Sequence, residues 1–389
     1  MPTDSVKPTD PLIQAQSEAD HITAQGYDVF ERAVQRVLFD APWLASESLL
    51  DGLESFHQER IDKVPSATTY PESSVWVDYV LSVDRELKRL LNLDARQIAI
   101  YRSLNDFLMF RGIARSSLRQ QEKCRVVYIP QTDHGQFHAK NIDDPAPPNW
   151  RPQPKPEALP HAGNLVWDGV GSGLHLDDEP DEIFPLPITT MYQHYADDVP
   201  SAVDFLTKYS KFFGGMNFVL HDRQKRSVAI EKCSRNFIEV FEPDPTSGFS
   251  HCSGMACRNP ESPQASYQRA KRQEYCEKFG LPNDGPDWTF WNACHTAEEM
   301  LASGVRSMLG TPRRDDLFKL FTTPWPAGLN KPGVKLHPEQ TVPEYTLITS
   351  VTLTDELIHY RWQRDEDLKY PDEPEVTEFG EQPGLSEPE

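Results

Sequence analysis

A thiol, a carboxamide and a carboxylate occur at short spacing near the middle of the chain. Cys124 opens the segment CRVVYIP, which is typical of a β-strand, and Asn141 and Asp143 follow shortly after it. A cysteine thiolate attacks carbonyl carbons, and neighbouring amide and carboxylate groups can orient the thiol or move its proton. If the fold brings the three together, they form a candidate site; the alternative for Cys124 is a small buried side chain at the start of a strand.

The residues between them predict a β-hairpin that would bring them together. The segment QTDHGQ is typical of a turn in which Gly135 is free to adopt positive φ, and FHAKNID at 137–143 is typical of the return strand. In such a hairpin Asn141 and Asp143 lie back beside Cys124. We therefore expect one edge of the sheet to hold the candidate site.

The direction of the side chains in this hairpin bears on the substrate. From alternation along a strand, we expect Arg125 and Lys140 to point away from Cys124 and the Asp143 carboxylate to line the site. The formal net charge of the chain, −21, also lowers the local concentration of anions. Together these expectations favour a substrate that is neutral or carries an amine.

The apolar periodicity predicts further elements on both sides of the hairpin. Helices are predicted near 28–40, 45–60, 74–92, 200–213, 264–279, 296–309 and 313–321. Strands are predicted as a meander at 216–222, 227–233 and 236–243, and as a closing hairpin at 345–354 and 357–365. Strands joined by hairpins rather than by crossover helices predict an α+β protein with antiparallel sheet.

Composition divides the chain into four parts. Residues 1–20 are polar and proline-rich, which predicts a flexible arm, and 21–123 is predicted to be mainly helical. The part at 124–365 bears the candidate nucleophile and includes a proline-rich excursion at 144–160. The acidic segment 366–389 is predicted to be a disordered tail.

Charge and hydropathy exclude several classes of function. A net charge of −21 disfavours binding to nucleic acids and to anionic membranes. The sequence has no apolar run long enough to span a bilayer and no apolar segment typical of a secretion signal near Met1. Its six cysteines include no C-x-x-C pair, so we expect reduced thiols in a cytoplasmic protein without a cofactor.

Several segments, in this order, resemble one enzyme family. They are C-R-V-V-Y from Cys124, A-K-N-I-D, N-F-V-L-H-D at 217–222, V-A-I-E ending at Glu231, and H-C-S-G at 251–254. In this order and spacing they resemble the N-terminal-nucleophile hydrolases of the penicillin acyltransferase type and the related choloylglycine hydrolases. The likeness runs over about 120–365 and is most specific over 215–270.

The resemblance implies a four-layer αββα sandwich and a cysteine amidohydrolase or acyltransferase that acts on a C–N bond of a small-molecule amide. It also implies autocatalytic cleavage between Lys123 and Cys124, which would free the α-amino group of Cys124 as a base for its own thiol. An α-amino pKa near 8 suits proton abstraction from a thiol whose pKa is about 8.5.

The resemblance also implies roles for other residues. Asn141 and Asp143 would join Cys124 in catalysis, Ser253 stands where the family has the asparagine that helps to hold the oxyanion, and Arg269 would contact the substrate. The family usually has glycine before the nucleophile and threonine or serine after it, where this chain has lysine and arginine. These departures keep open a second hypothesis, a non-catalytic binding protein on the same scaffold.

A third hypothesis starts from His175 and Asp177. This H-x-D pair, with a later histidine such as His221 or His251, has the residue types of a non-haem iron oxygenase site. The residues after the pair lack the expected glycine pattern, so the amide hydrolase is favoured.

Overall fold

The structure is a computed structural model. It describes residues 10–40, 45–63, 73–110, 124–145, 150–153, 155–156, 159, 165–170, 196, 198–210, 216–234, 237–254, 258–263, 265–266, 269–270, 273, 276–277, 280, 290–308, 310–335 and 343–380. Two compact units account for the chain, one comprising residues 1–118 and 177–214 and the other residues 119–176 and 215–389.

The first unit is helical in its described residues. Its helices are α1 (Pro11–Gln25), α2 (Val29–Asp40), α3 (Ser46–Asp62), α4 (Ser73–Leu91), α5 (Ala95–Phe110) and α6 (Val199–Lys208). The helices predicted near 28–40, 45–60, 74–92 and 200–213 are confirmed. In the part described, no helix combines the length and hydropathy needed to cross a membrane.

Helix α1 corrects the prediction of a flexible arm over residues 11–20, whereas residues 1–9 lie outside the described residues. The Asp10 side chain caps its first turn by accepting from the Leu12 amide at 2.9 Å, and a proline occupies the first helical position. Ala15, Ala19 and Ile22 are buried along one side of the helix. Small apolar residues four and three apart are sufficient for packing, although the polar residues around them conceal the pattern.

The second unit contains two antiparallel sheets. Its strands are β1 (Arg125–Thr132), β2 (Gly135–Pro145), β3 (Leu165–Val170), β4 (Met216–Asp222), β5 (Ser227–Ser234), β6 (Phe237–Phe241), β7 (Ser250–Ser253), β8 (Pro332–Val334), β9 (Glu344–Leu353), β10 (Ile358–Gln363) and β11 (Glu375–Glu378). The first sheet has the order β11-β10-β9-β2-β1-β7, with β8 paired to β9, and the second has the order β3-β4-β5-β6.

Alternating side chains give the first sheet two buried faces. Its outer face packs against helices α7 (Phe290–Ser307) and α8 (Arg314–Thr322), which join it in one apolar cluster. Its inner face places Val126 and Tyr128 against Val219 and Ala229 of the second sheet. The unit therefore stacks helices, sheet and sheet, which confirms the predicted α+β sandwich of antiparallel sheets.

The predicted hairpins and meander are also confirmed. Strands β1 and β2 pair antiparallel across a turn in which Gly135 adopts φ +76°, β4 to β6 form the meander, and β9 pairs with β10. The prediction of a disordered tail is wrong over Glu375–Glu378, because these residues form β11 beside β10. Backbone hydrogen bonds to β10 hold that strand in place. Such bonds do not depend on the side chains, so the acidic sequence does not indicate them. The predicted excursion 144–160 and the predicted helix 264–279 fall partly outside the described residues.

Candidate active site

Cys124 stands directly before β1, between strands β2 and β7. Its φ is +70°, a conformation that residues other than glycine rarely adopt. Its carbonyl oxygen accepts a hydrogen bond from the Gly254 amide at 3.0 Å. The half-buried side chain packs against the inner-face cluster that contains Val126 and Cys252. The thiol therefore lies between the two sheets, on strained backbone of the kind that clusters at functional sites.

Lys140, which was predicted to point away from Cys124, lies on the same face of the sheet as this thiol. Lys140 is the cross-strand partner of Val126, and directly opposed residues of an antiparallel pair share a face. Its ammonium forms an ion pair with Asp168 of β3. Burial opposes the charged form, but the Asp168 carboxylate, followed by Cys124, raises the pKa of Lys140 above its ordinary value. The site thus holds a cation within electrostatic reach of a thiol.

Asp168 connects Lys140 to two buried histidines. His138 Nε2 lies 3.0 Å from Asp168 Oδ2, and His138 Nδ1 lies 3.0 Å from His221 Nε2. The ring of His221 stacks on Tyr128 with centroids 3.9 Å apart and planes inclined by 8°. Polar groups of three strands therefore form one continuous array beneath the ammonium.

The second sheet also holds the backbone at Cys124. Asn217 of β4 is fully buried, and its Nδ2 donates to the Gly254 carbonyl oxygen at 3.0 Å. Gly254 in turn donates to Cys124, so the end of β7 is tied to both sheets. This places the N-F-V-L-H-D segment next to the candidate nucleophile.

A second cysteine on the inner face has a different environment. Burial raises the pKa of the Cys252 thiol well above its ordinary value. Nearby, burial raises the pKa of Glu231 to about 8, against the opposing pull of Arg258, whose amide donates to the carboxylate at 3.1 Å. Cys252 is therefore held as a neutral thiol, and it makes a natural control for Cys124.

The structure corrects the positions of Asn141 and Asp143. Asn141 is the direct partner of Arg125, so both lie on the outer face, opposite to Cys124. Asn141 Nδ2 donates to the carbonyl oxygens of Phe321 and Leu329 at 3.3 and 3.1 Å. The prediction that Asn141 and Asp143 lie beside Cys124 is wrong. The predicted direction of Lys140 is also wrong, so the expected preference for a neutral or amine-bearing substrate now depends on the net charge of −21 alone.

Asp143 belongs to a buried ion network on the outer face. It pairs with Arg125, accepts from Thr346 Oγ1 at 2.6 Å, and lies 3.7 Å from Lys331 Nζ. Lys331 also pairs with Glu344 at 3.2 Å. Two cations and two carboxylates are thus neutralised within one cluster.

Among the described residues, the two remaining candidates, Ser253 and Arg269, contact groups other than the Cys124 thiol. Ser253 is the outer-face partner of Arg125, and its buried Oγ has no hydrogen-bond partner among the described residues. Arg269 is exposed and donates to the Pro260 carbonyl and to Ser266 Oγ at 2.6 and 3.0 Å, within its own segment. A role for either residue in the site stays a prediction.

The residues of the iron hypothesis do not form a described site. His175 and Asp177 lie outside the described residues. His221 is bonded to His138, and His251 Nε2 pairs with Glu298 at 2.9 Å. The described ranges contain no group of three or more histidine, cysteine, aspartate or glutamate residues that could hold a metal ion.

Comparison with known proteins finds solved structures of low similarity. No protein-family model matches the chain, and no curated protein matches its sequence. Among solved structures, a mutant conjugated bile acid hydrolase from Clostridium perfringens is 11% identical with a TM-score of 0.36, covering 68% of this chain and 99% of that chain. Penicillin V acylase from Agrobacterium tumefaciens is 14% identical with a TM-score of 0.35, covering 62% and 82%.

Both similarities are weak. Their identities and TM-scores are too low to bear on activity or substrate. The function of this chain must therefore be argued from its own site.

Proposed function

We propose that this chain is a cysteine amide hydrolase or acyltransferase in which Cys124 is the nucleophile. The observation that supports this best is the placement of the thiol. It lies half-buried at the end of the inner face, on positive-φ backbone, within electrostatic reach of the Lys140 ammonium. A nearby cation favours the thiolate, which is the nucleophilic form of cysteine.

The proposed reaction forms and breaks one thioester. The Cys124 sulfur attacks the carbonyl carbon of a small-molecule amide, and the C–N bond breaks as the amine leaves with a proton. Water then attacks the acyl-thioester, releasing a carboxylic acid and restoring the thiol. In the acyltransferase form of the reaction, a second amine takes the place of water.

A base for the thiol would come from the chain itself. Cleavage between Lys123 and Cys124 would leave fragments of 123 and 389 − 123 = 266 residues and would free the Cys124 α-amino group. That amine is close in pKa to a thiol and is attached to the same residue. The positive φ of Cys124 supports this step, because strain at the junction is released when the peptide bond breaks.

The decisive experiment compares the two cysteines of the inner face. Wild type, Cys124→Ala and Cys252→Ala would be assayed against a panel of small amides, with the intact mass measured for each. We expect wild type and Cys252→Ala to be active and to separate into fragments of about 14 and 30 kDa, scaled by residue number from 44.4 kDa. Cys124→Ala should be inactive and should remain one chain.

Each part of the proposal has its own contradicting result. An active Cys124→Ala variant would exclude Cys124 as the nucleophile. A wild-type chain of 44.4 kDa that turns over amides would exclude cleavage but not the thiol. A folded wild type that binds amides without turnover would favour the non-catalytic hypothesis.

A further inference from the structure

We propose that Asp168 and the His138–His221 pair are positioning residues that hold the Lys140 ammonium at the thiol of Cys124. The proposal rests on the reactive role of Cys124, and it concerns residues of β2, β3 and β4 that the sequence analysis did not place in the site. They are argued to act through Lys140.

The geometry of Asp168 is the first argument. One carboxylate oxygen takes the Lys140 ammonium, and the other lies 3.0 Å from His138 Nε2. With Nε2 donating to the carboxylate, a neutral His138 has Nδ1 left as an acceptor, and His221 Nε2 is the donor 3.0 Å away. With this assignment each of the two histidine contacts has one donor and one acceptor.

The rigidity of the far end is the second argument. His221 stacks on Tyr128 at 3.9 Å, and the Tyr128 hydroxyl donates to Gln136 Oε1 at 2.9 Å. Gln136 Nε2 donates to Asp355 Oδ1 at 2.7 Å. The histidines are therefore fixed by packing and hydrogen bonds. A lysine side chain has four rotatable carbons and needs such a fixed partner to stay in one place.

Other ionisable groups facing this region set the background for the test. They are Cys252 of β7, Glu231 of β5, Arg258 after β7, and His359 and Arg361 of β10. They are present in every variant, so their contribution cancels when variants are compared.

The test measures the alkylation rate of Cys124 by iodoacetamide from about pH 5 to about pH 10, followed by peptide mass spectrometry. Asp168→Asn would be made in wild type and in a Lys140→Met background. In wild type we expect alkylation near pH 7 to slow by about fivefold to tenfold, because the pKa of the thiol rises once the ammonium is no longer held beside it.

In the Lys140→Met background the sign should reverse. With no ammonium to position, Asp168→Asn only removes a carboxylate that repels the thiolate, so alkylation should become faster. If Asp168 had only a structural role, Asp168→Asn would slow alkylation or disorder the protein equally in both backgrounds. The same slowing in both backgrounds, or none in wild type, would overturn the proposal.

The histidine arm needs a smaller, conservative change. His221→Phe keeps a ring on Tyr128 but removes the donor to His138. We expect this change to slow the alkylation of Cys124 by about twofold to threefold in wild type and to leave the rate unchanged in the Lys140→Met background. His134→Gln, at the exposed turn beside Glu356, is the matched control and should leave the rate unchanged. Equal rates for His221→Phe and wild type would remove the histidines from the proposal.

The readout separates this inference from the proposed function. Alkylation needs no amide substrate, so the expected sign reversal without any amidase activity would uphold the positioning array and count against the enzyme. Amidase activity without the sign reversal would do the opposite.

Discussion

The two faces of the first sheet use charged residues in opposite ways. On the outer face, Arg125, Asp143, Lys331 and Glu344 are buried and paired with one another. On the inner face, the array that begins at His221 passes through Asp168 to Lys140 and ends at a thiol. The charged groups of the outer face pair with one another and stabilise the fold. Those of the inner face lead to the Cys124 thiol, which is the group proposed to react.

The closed network also explains the arginine that follows Cys124. The Arg125 guanidinium lies 5.5 Å from the centroid of the Trp325 ring and pairs with Asp143 beneath the sheet. A residue one position from the candidate nucleophile is thereby anchored on the opposite face. The departure from threonine or serine at this position is thus a structural feature of the outer face.

Among the variants that distinguish the two faces, Asp143→Ala should lower the free energy of unfolding the most. It removes the partner of Arg125 and the acceptor of Thr346, and it leaves buried positive charge uncompensated. Breaking a buried ion pair from one side costs about 3–5 kcal/mol. We expect the free energy of unfolding, measured in urea, to fall by that amount.

The control for this prediction is Glu366→Ala, which removes an exposed carboxylate 3.8 Å from Arg151. It should change the free energy of unfolding by less than about 0.5 kcal/mol. If Asp143→Ala were as stable as this control but lost Cys124 reactivity, Asp143 would belong to the site after all.

The fold was more accessible from the sequence than the site. Apolar periodicity and turn residues predict most helices of the first unit, the β1–β2 hairpin and the meander, because each is a local pattern. Strands β3 and β7 are short and were not predicted. They pair with β4 and β1, which are distant in sequence, and it is β3 that supplies Asp168.

The errors in the site have one physical origin. Cys124 and Lys140 share a face, whereas Asn141 and Ser253 share the other with Arg125. A hairpin predicted without its register leaves the face of every side chain undetermined, since a shift of one residue exchanges the two faces. The sequence therefore located β1 and β2 and placed Arg125 correctly opposite to Cys124, but it assigned the side chains of β2 to the wrong face.

An effect of intermediate size is expected on the pH dependence of the free energy of unfolding when Glu231 is changed. This residue lies on the second sheet and points towards the inner face of the first. Its carboxyl has an ordinary pKa of 4.5 in the unfolded chain and about 8 in the folded chain, because burial disfavours its charge. Between these values the folded state holds a proton that the unfolded state has released. The stabilisation is therefore complete below about pH 4.5 and is lost as pH rises through about 8.

Glu231→Gln should flatten this dependence. A neutral amide has no proton to release, so the slope of unfolding free energy against pH should decrease by up to about 1.4 kcal/mol per pH unit over that window. Just after the neighbouring strand β6, Glu242→Gln removes an exposed carboxylate, and it should keep the wild-type slope. Equal slopes in all three proteins would show that Glu231 is ionised in the fold.

The smallest effect should come from Ser253→Ala. The serine lies on the outer face opposite Arg125, and its hydroxyl has no hydrogen-bond partner in the described part of the chain. Removing a buried, unsatisfied hydroxyl costs little and can stabilise, so the free energy of unfolding should change by less than about 1 kcal/mol. Since the side chain points away from Cys124, the amidase and alkylation rates should also be those of wild type. A tenfold or greater loss of turnover with unchanged alkylation would instead assign Ser253 to the oxyanion. Strand β7 would then have to turn the side chain of Ser253 towards the substrate during the reaction. The assignment of stability to the outer face and of reactivity to the inner face would not hold for that strand.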